Sequence, residues 1–215
     1  MEIVTAEELV FSTSARHRLG RASVESDFVL PSGRRLAFDQ LQGTLNRLAI
    51  VPENHLSRAG PSDRIYAVQE LHALFTSVLY GLPGRVLNRA GPRGLCGPWL
   101  SPAEWMAQAG RAGLPIEPYL VRGGAPIPDL VLPAERVVYV VGDAVVIVPS
   151  HPGEPPAAIA EGCRALALGC GVELLGVDFA ALSHGPWTFV GASPMPDLRP
   201  GGEALLDALL AAMVG

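Results

Sequence analysis

The chain contains no lysine: among 215 residues, all sixteen basic residues other than histidine are arginines. A P-loop needs a lysine on the nucleotide phosphates, a protein kinase needs the lysine of its third strand, and Schiff-base catalysis needs an amine. These three classes of protein are therefore excluded. A GC-rich coding bias, which favours arginine, alanine, glycine and proline, is an alternative cause of the absence, and the exclusions hold in either case.

Cysteine is also scarce, and long apolar runs are lacking. Cys96, Cys163 and Cys170 are too few and too odd in number for a disulfide framework, which favours a reducing compartment. No apolar run approaches the eighteen residues of a spanning helix, and the acidic start MEIVTAEELV does not resemble a secretory signal. The net charge of −5 disfavours general binding to nucleic acid or anionic membranes. We therefore expect a cytoplasmic protein without a nucleic-acid or membrane partner.

Motifs for metal binding and nucleophilic catalysis are absent as well. The five histidines are scattered without ligand spacing, and neither GxSxG nor HExxH occurs. His72 lies within a predicted helix, where a half-buried structural role is favoured over a catalytic one. Cys163 and Cys170 are expected on one face of another helix, where two buried thiols are favoured over a reactive site.

The pattern of apolar residues predicts a mixed α/β protein. A helix begins at Pro61 and ends before Gly81, with apolar residues recurring at a period near 3.6. The capping box Ser101-Pro-Ala-Glu104 begins a second helix, which ends near Gly113. Short strands are predicted in this part of the chain at 9–12, 23–30, 35–38, 85–88 and 116–121.

The last third of the sequence predicts an antiparallel sheet. Gly142-Asp143 joins two β-branched runs, 136–141 and 144–148, into a hairpin. Another strand pair is expected within 172–190, and an alanine-rich helix near 156–168 should pack behind the sheet. A proline- and glycine-rich linker is predicted at 122–134, and a short apolar helix at 203–214.

This order of parts resembles the C-terminal part of an ATP-grasp ligase. The relevant stretches are RVVYVVGDAVVIV at 136–148, a helix, LGVDF at 175–179 and WTFVGASP at 187–194. In that family an RVFVVGD hairpin precedes a helix, a GVD strand and a final strand that ends in Glu-x-Asn. Upstream, the helix after Asp63, the strand VLNR at 86–89 and the segment from Trp105 to Pro115 resemble the pre-ATP-grasp region.

The resemblance implies an α/β fold of α+β character with two domains. A pre-ATP-grasp-like α/β domain would occupy 1–115, and a truncated ATP-grasp C-terminal lobe with an antiparallel sheet would occupy 116–215. Family members hold nucleotide between two lobes, and strand lysines of the first lobe contact the phosphates. Because only about fifteen residues separate Val121 from Arg136 and lysine is absent, we expect that lobe to be missing and ATP binding to be lost.

The metal ligands that the family implies are largely replaced. Its Asp, Glu and Asn hold magnesium against the phosphates, and hard cations need such charged oxygens. Asp178 matches the aspartate, whereas Gly191 stands at the glutamate position and Ser193 at the asparagine position. We therefore expect Asp178 to be a relic of a metal site that no longer binds Mg²⁺. A purely structural role for Asp178, in capping a turn or pairing with an arginine, is the alternative.

A ligand site of a different kind is a further hypothesis. Arg47 and Arg89 follow Asn46 and Asn88, so each pair of residues offers an amide and a guanidinium to a carboxylate or phosphate. The candidate ligand-binding residues are Arg47, Asn88, Arg89, Asp178 and Ser193, and no residue is assigned a catalytic role.

The favoured function is therefore that of a non-catalytic, ATP-grasp-like binding or partner protein. The resemblance implies an association with peptide modification and a peptide or small carboxylate as ligand. The alternative is an active ATP-dependent carboxylate–amine ligase in which arginines replace lysines and a partner chain completes the nucleotide site. We also expect a homodimer or a protein partner, because the missing lobe would leave apolar sheet surface in water at about 25 cal/mol per Å².

Overall fold

The computed structural model describes residues 2–21, 23–117, 134–148, 156–182 and 185–214. Contacts divide the chain after Cys96 into a first unit and a second unit. The domain boundary that the resemblance implies, between 1–115 and 116–215, stays a prediction. No helix in the described parts of the chain is both long enough and apolar enough to cross a membrane.

The first unit contains a three-stranded antiparallel sheet, a two-stranded parallel sheet and one long helix. In chain order the elements are α1 (Ala6–Val10), β1 (Ser14–Leu19), β2 (Val24–Val29), β3 (Arg35–Ala37), β4 (Gly43–Leu45), α2 (Pro61–Tyr80) and β5 (Arg85–Leu87). The antiparallel sheet has the order β1-β2-β3, and β4 pairs in parallel with β5.

One face of the antiparallel sheet packs on the C-terminal half of α2. Phe28 of β2 contacts Phe75 of α2 at a centroid distance of 6.5 Å, and both rings are buried. Beside them, the imidazole of His17 lies within hydrogen-bond distance of two hydroxyls, that of Ser26 at 2.9 Å and that of Ser77 at 2.8 Å. An apolar core and this polar link therefore join β1 and β2 to α2.

Two expectations for the first unit are wrong. The strand predicted at 9–12 is instead the end of α1, because Thr5 and Glu8 form a capping box that starts a helix there. The local β propensity of the run is overridden by this cap. His72 is exposed rather than half-buried, since only residues on the opposite side of α2 reach the core. The other strands predicted before residue 88 and the helix from Pro61 are confirmed.

The second unit contains the antiparallel sheet that the last third of the sequence predicts. The elements of this unit are α3 (Pro102–Arg111), β6 (Arg136–Val141), β7 (Ala144–Val148), α4 (Ala157–Cys170), β8 (Leu174–Leu182), β9 (Gly185–Ser193) and α5 (Gly202–Val214). The strand order of the sheet is β7-β6-β8-β9, and every neighbouring pair is antiparallel. The predicted hairpin, backing helix and α/β class are confirmed.

Both α3 and α4 pack against one face of this sheet. Trp105 of α3 and Leu166 of α4 belong to the same core as Val138 and Val177 of the sheet. Cys163 is fully buried in that core, and desolvation raises the pKa of its thiol to about 12. The thiol is therefore unreactive, as expected for a structural cysteine. The strand predicted at 116–121 is represented by a bridge between Ile116 and Phe189, while residues 118–121 and the linker at 122–133 lie outside the described residues.

Removal of the capping box of α3 is expected to lower the stability of the protein. The Ser101 hydroxyl accepts the Glu104 backbone N–H at 3.3 Å, and the Glu104 carboxylate accepts the Ser101 N–H at 2.8 Å. Because α3 buries Trp105, we expect Ser101→Ala to lower the free energy of unfolding by about 1 kcal/mol in urea titrations. Thr5→Ala removes the same motif from α1, which buries no residue, and should change it by much less. Equal losses in the two variants would contradict this prediction.

Candidate functional site

Asp178, Gly191 and Ser193 lie on the sheet face that points away from α3 and α4. In the register of β8 and β9, Asp178 pairs with Gly191, and Gly176 pairs with Ser193. Directly paired residues of antiparallel strands share a face, so the three positions form one group. Val177, between Gly176 and Asp178, points to the opposite face and is buried in the core. The register thus brings together the residues expected to descend from a metal site.

Residues after β9 cover part of this face. The Tyr139 hydroxyl donates to the Asp197 carbonyl at 2.6 Å, and a Cβ at Gly176 would lie 2.5 Å from the Cβ of Pro196. The glycine is therefore needed for the close approach of this segment. Tyr139, Pro196 and Asp197 were not identified in the sequence as neighbours of the site.

The Asp178 carboxyl is largely removed from water, and burial raises its pKa to about 6. The carboxyl in turn helps to raise the pKa of the Tyr139 phenol, although desolvation of the phenol is the larger cause. Asp178 has neither an ion pair nor a hydrogen bond within the part of the chain that the structure describes. The alternative that it caps a turn or pairs with an arginine therefore has no support among these residues.

The donor atoms around Asp178 do not fit a magnesium ion. Gly191 supplies no side chain, and among the described residues the only atom within 4 Å of a Cβ built there is Asp178 Oδ2, at 3.6 Å. The Ser193 hydroxyl accepts the backbone N–H of Met195 at 3.1 Å, and a neutral hydroxyl is a poor substitute for a charged ligand. Among the described residues, no group of three acidic, histidine or cysteine side chains could hold a metal ion.

Asn46 and Asn88 are located at the ends of the parallel strands of the first unit. The Asn46 amide donates to the carbonyls of Asn88 at 2.9 Å and Leu95 at 2.7 Å, and its oxygen accepts the Leu48 N–H at 3.1 Å. Both asparagines are buried. The Asn46 side chain thus ties the loop at 88–95 to the end of β4, which is a structural use of a residue that the sequence suggested for ligand binding.

The two arginines that follow these asparagines differ in their surroundings. The Arg89 guanidinium donates to three backbone carbonyls at the C-terminal end of α2 and just beyond it, those of Tyr80 at 3.0 Å, Leu82 at 2.8 Å and Gly84 at 2.9 Å. A cation there also complements the helix dipole. Arg47 is exposed, and its charge partly offsets the desolvation that raises the pKa of the Cys96 thiol. The five candidate residues thus fall in two units, with Asp178 and Ser193 in the second.

Comparisons with solved structures identify the fold. The macrocyclase MdnC from Microcystis aeruginosa, solved with its precursor peptide MdnA, matches with a TM-score of 0.66 and 11% identity, over 96% of this chain and 88% of that chain. A RiPP-associated ATP-grasp ligase from Chryseobacterium gregarium, solved with ADP and a leader and core peptide, also matches, with a TM-score of 0.63 and 11% identity over 98% and 86% of the two chains. This chain has the fold of an ATP-grasp ligase.

Another ATP-grasp ligase, PsnB, was solved with Mg, ADP and a phosphomimetic variant of its minimal precursor. It matches with a TM-score of 0.63 and 17% identity, over 95% of this chain and 88% of that chain. No protein-family model matches the sequence, and no curated protein is significantly similar to it. At these identities the comparisons establish the fold, and the expected resemblance to ATP-grasp ligases is confirmed at that level.

The raised pKa of Asp178 predicts that charge burial at this position destabilises the ATP-grasp fold near neutral pH. Between about pH 4 and pH 6 the folded state retains a proton that the unfolded state has released, so this group lowers stability as the pH rises through that window. We expect Asp178→Asn to raise the free energy of unfolding by about 2 kcal/mol at pH 7.5 and by much less at pH 4.5. Asp143→Asn, in the exposed hairpin turn, should show no such dependence, and a pH-independent effect at Asp178 would refute the prediction.

A second prediction concerns Asn46. Replacing it with alanine leaves two buried carbonyls without their amide donor, so we expect Asn46→Ala to lower the free energy of unfolding by about 3 kcal/mol in urea titrations. Asn54→Ala, at an exposed position, provides the matched control and should change stability by less than about 0.5 kcal/mol. A ligand-binding asparagine without a structural role would give similar values for both variants.

Proposed function

We propose that this chain is a non-catalytic ATP-grasp relative that binds a peptide in a peptide-modification system. The observation that carries the proposal is what stands at the three positions where the resemblance implies metal ligands. Asp178 alone among them has a carboxylate, since Gly191 has no side chain and the Ser193 hydroxyl already accepts a backbone N–H. The absence of lysine supports the same proposal, because the family's phosphate contacts come from lysines.

The peptide part of the proposal is supported by the kinds of protein that share the fold. MdnC and the Chryseobacterium gregarium ligase were solved with peptides, and PsnB with a minimal precursor. A protein can keep the surface that holds a peptide after losing the groups that activate nucleotide, since the two depend on different side chains. The chemical role left to this chain would be to bind and present a peptide, alone or beside an active ligase.

The chemistry of Asp178 suggests what part of a ligand it would contact. A partly desolvated carboxylate that has no ion pair or hydrogen bond among the described residues gains most from an N–H donor or a cationic group. Among the described residues, no atom other than Asp178 Oδ2 lies within 4 Å of a Cβ built at Gly191, so such a group could approach this carboxylate there. Ser193 lies diagonally across the strand pair. In the first unit, the residues proposed to contact a carboxylate of a ligand are Arg47, Asn88 and Arg89.

The first test measures nucleotide binding directly. We expect calorimetric titration of the wild-type chain with Mg-ATP to give no binding in the micromolar range, and Asp178→Ala to behave in the same way. The expectation follows from a single carboxylate, which holds Mg²⁺ weakly. Submicromolar affinity that disappears in Asp178→Ala would refute the non-catalytic proposal and support the ligase alternative.

The second test addresses the peptide. Fluorescein-labelled synthetic peptides, made from short reading frames that flank the gene, would be titrated with the chain in anisotropy measurements with and without Mg-ATP. We expect one peptide to bind independently of Mg-ATP, its scrambled version not to bind, and no ADP to be released. ADP release that requires the peptide would identify an active ligase instead. Absence of binding by every peptide would refute the peptide role.

A further inference from the structure

The last helix, α5, is rich in apolar residues but only partly buried. Ten of its thirteen residues are alanine, leucine, methionine or valine. A helix of this composition is typical of the core of a protein, yet the fully buried residues of α5 are Leu205 and Leu209 alone. Part of the apolar surface of α5 is therefore left in contact with water.

The exposed apolar residues of α5 form one stripe. The side chains of Leu206, Leu210 and Val214 are 51%, 42% and 77% exposed. Because they are four residues apart, they lie in one row along the helix, and such rows are the ridges by which two helices pack together. Three large apolar side chains in a row are costly to leave in water. The stripe thus has the spacing of a surface that packs on another helix.

Two carboxylates lie beside this stripe. Glu203 precedes Leu206 by three residues and Asp207 precedes Leu210 by three, and residues three apart are neighbours on the surface of a helix. Both acidic side chains are exposed, and neither has an ion pair within the described ranges of the chain. Glu203, in the first turn, also complements the helix dipole. Asp207 lies beyond that turn, so the dipole does not account for it.

The charge of the second unit has the same sign as these carboxylates. Residues 97–215 contain five arginines and twelve acidic residues, a net charge of −7, whereas residues 1–96 contain eleven arginines and nine acidic residues, a net charge of +2. A surface in a negative field attracts cationic partners and repels anionic ones. An anionic membrane or an acidic helix is therefore disfavoured on α5, and a basic helix is favoured.

We propose that the exposed face of α5 binds an amphipathic helix of a partner protein that carries arginines or lysines beside its own apolar stripe. The two apolar stripes cover each other, and the basic residues pair with Glu203 and Asp207. A second copy that binds through its own α5 offers no such pairing, because α5 contains no basic residue. This surface differs from the sheet surface that the sequence suggested for a homodimer, and the proposal depends on neither nucleotide nor a ligand at Asp178.

The first measurement uses a designed helix as the probe. A fluorescein-labelled peptide of about 18 residues, with leucines at a spacing of three and four and arginines beside them, would be titrated with the wild-type chain in anisotropy measurements. We expect a dissociation constant in the range of about 1–50 μM. A peptide with glutamates in place of the arginines and a scrambled peptide of the same composition should not bind. Failure of the designed helix to bind, or equal binding of the scrambled peptide, would overturn the proposal.

Substitution within the stripe tests where the helix binds. The double variant Leu206→Ser, Leu210→Ser should weaken binding of the arginine peptide about tenfold or more. Leu168→Ser is the matched control, since Leu168 is 83% exposed on α4, and should leave the affinity unchanged. Circular dichroism and urea titration would show that both variants are folded. Equal affinities of the two variants would contradict the site. A stripe variant that loses self-association in sedimentation velocity, without peptide binding by the wild type, would assign the stripe to a second copy instead.

Charge reversal tests the part played by the carboxylates. In the double variant Glu203→Arg, Asp207→Arg we expect the glutamate peptide to bind and the arginine peptide to bind about tenfold more weakly than to the wild type. The double variant Asp143→Arg, Glu161→Arg changes the net charge by the same amount at exposed positions outside α5, and should keep the preference for the arginine peptide. The same reversal of preference in both variants would show that only net charge matters, and would overturn the proposed pairing.

Discussion

The hydrogen-bond register of β8 between β6 and β9 is the constraint on which the second unit depends. It pairs Asp178 with Val137 on one side and with Gly191 on the other. Because side chains alternate along a strand, a shift by one residue would move Asp178 into the core and Val177 out of it. Burying a charged carboxylate against α3 and α4 would be costly, so the alternation of apolar residues strongly selects the observed register.

This register also determines the chemistry of the outer face. The same pairing that buries Val138 and Val177 assembles Asp178, Gly191 and Ser193 on the other side of the sheet. The segment after β9 closes over Gly176 and Tyr139 and keeps water from part of that face. Among the described residues, the site thus combines a partly desolvated carboxylate with a glycine and with a hydroxyl that already accepts a backbone N–H.

In the first unit, polar side chains serve the fold more than the sequence suggested. The repeated Asn-Arg pairs indicated two anion-binding groups, yet Asn46 ties a loop to the end of β4 and Arg89 caps α2. A pattern of residue types cannot distinguish these roles, because amides and guanidiniums satisfy backbone carbonyls as readily as ligand oxygens. The long helix α2 differs from its sequence pattern in another way. Its apolar residues recur regularly along the whole helix, but the core of the first unit does not cover its first turns.

The sequence by itself determined the local elements and the class of fold. The apolar period of α2, the capping box at Ser101, the Gly142-Asp143 turn and the β-branched runs beside it each depend on a few neighbouring residues, so they could be predicted. The start of the chain could not, because the Thr5–Glu8 cap competes with a β-prone run. Tertiary structure alone decided that the segment of Pro196 and Asp197 covers part of the sheet face of Asp178, which carbonyls engage Asn46 and Arg89, and that Ile65 is exposed. Each of these depends on contacts between residues far apart in the sequence, which local patterns do not encode.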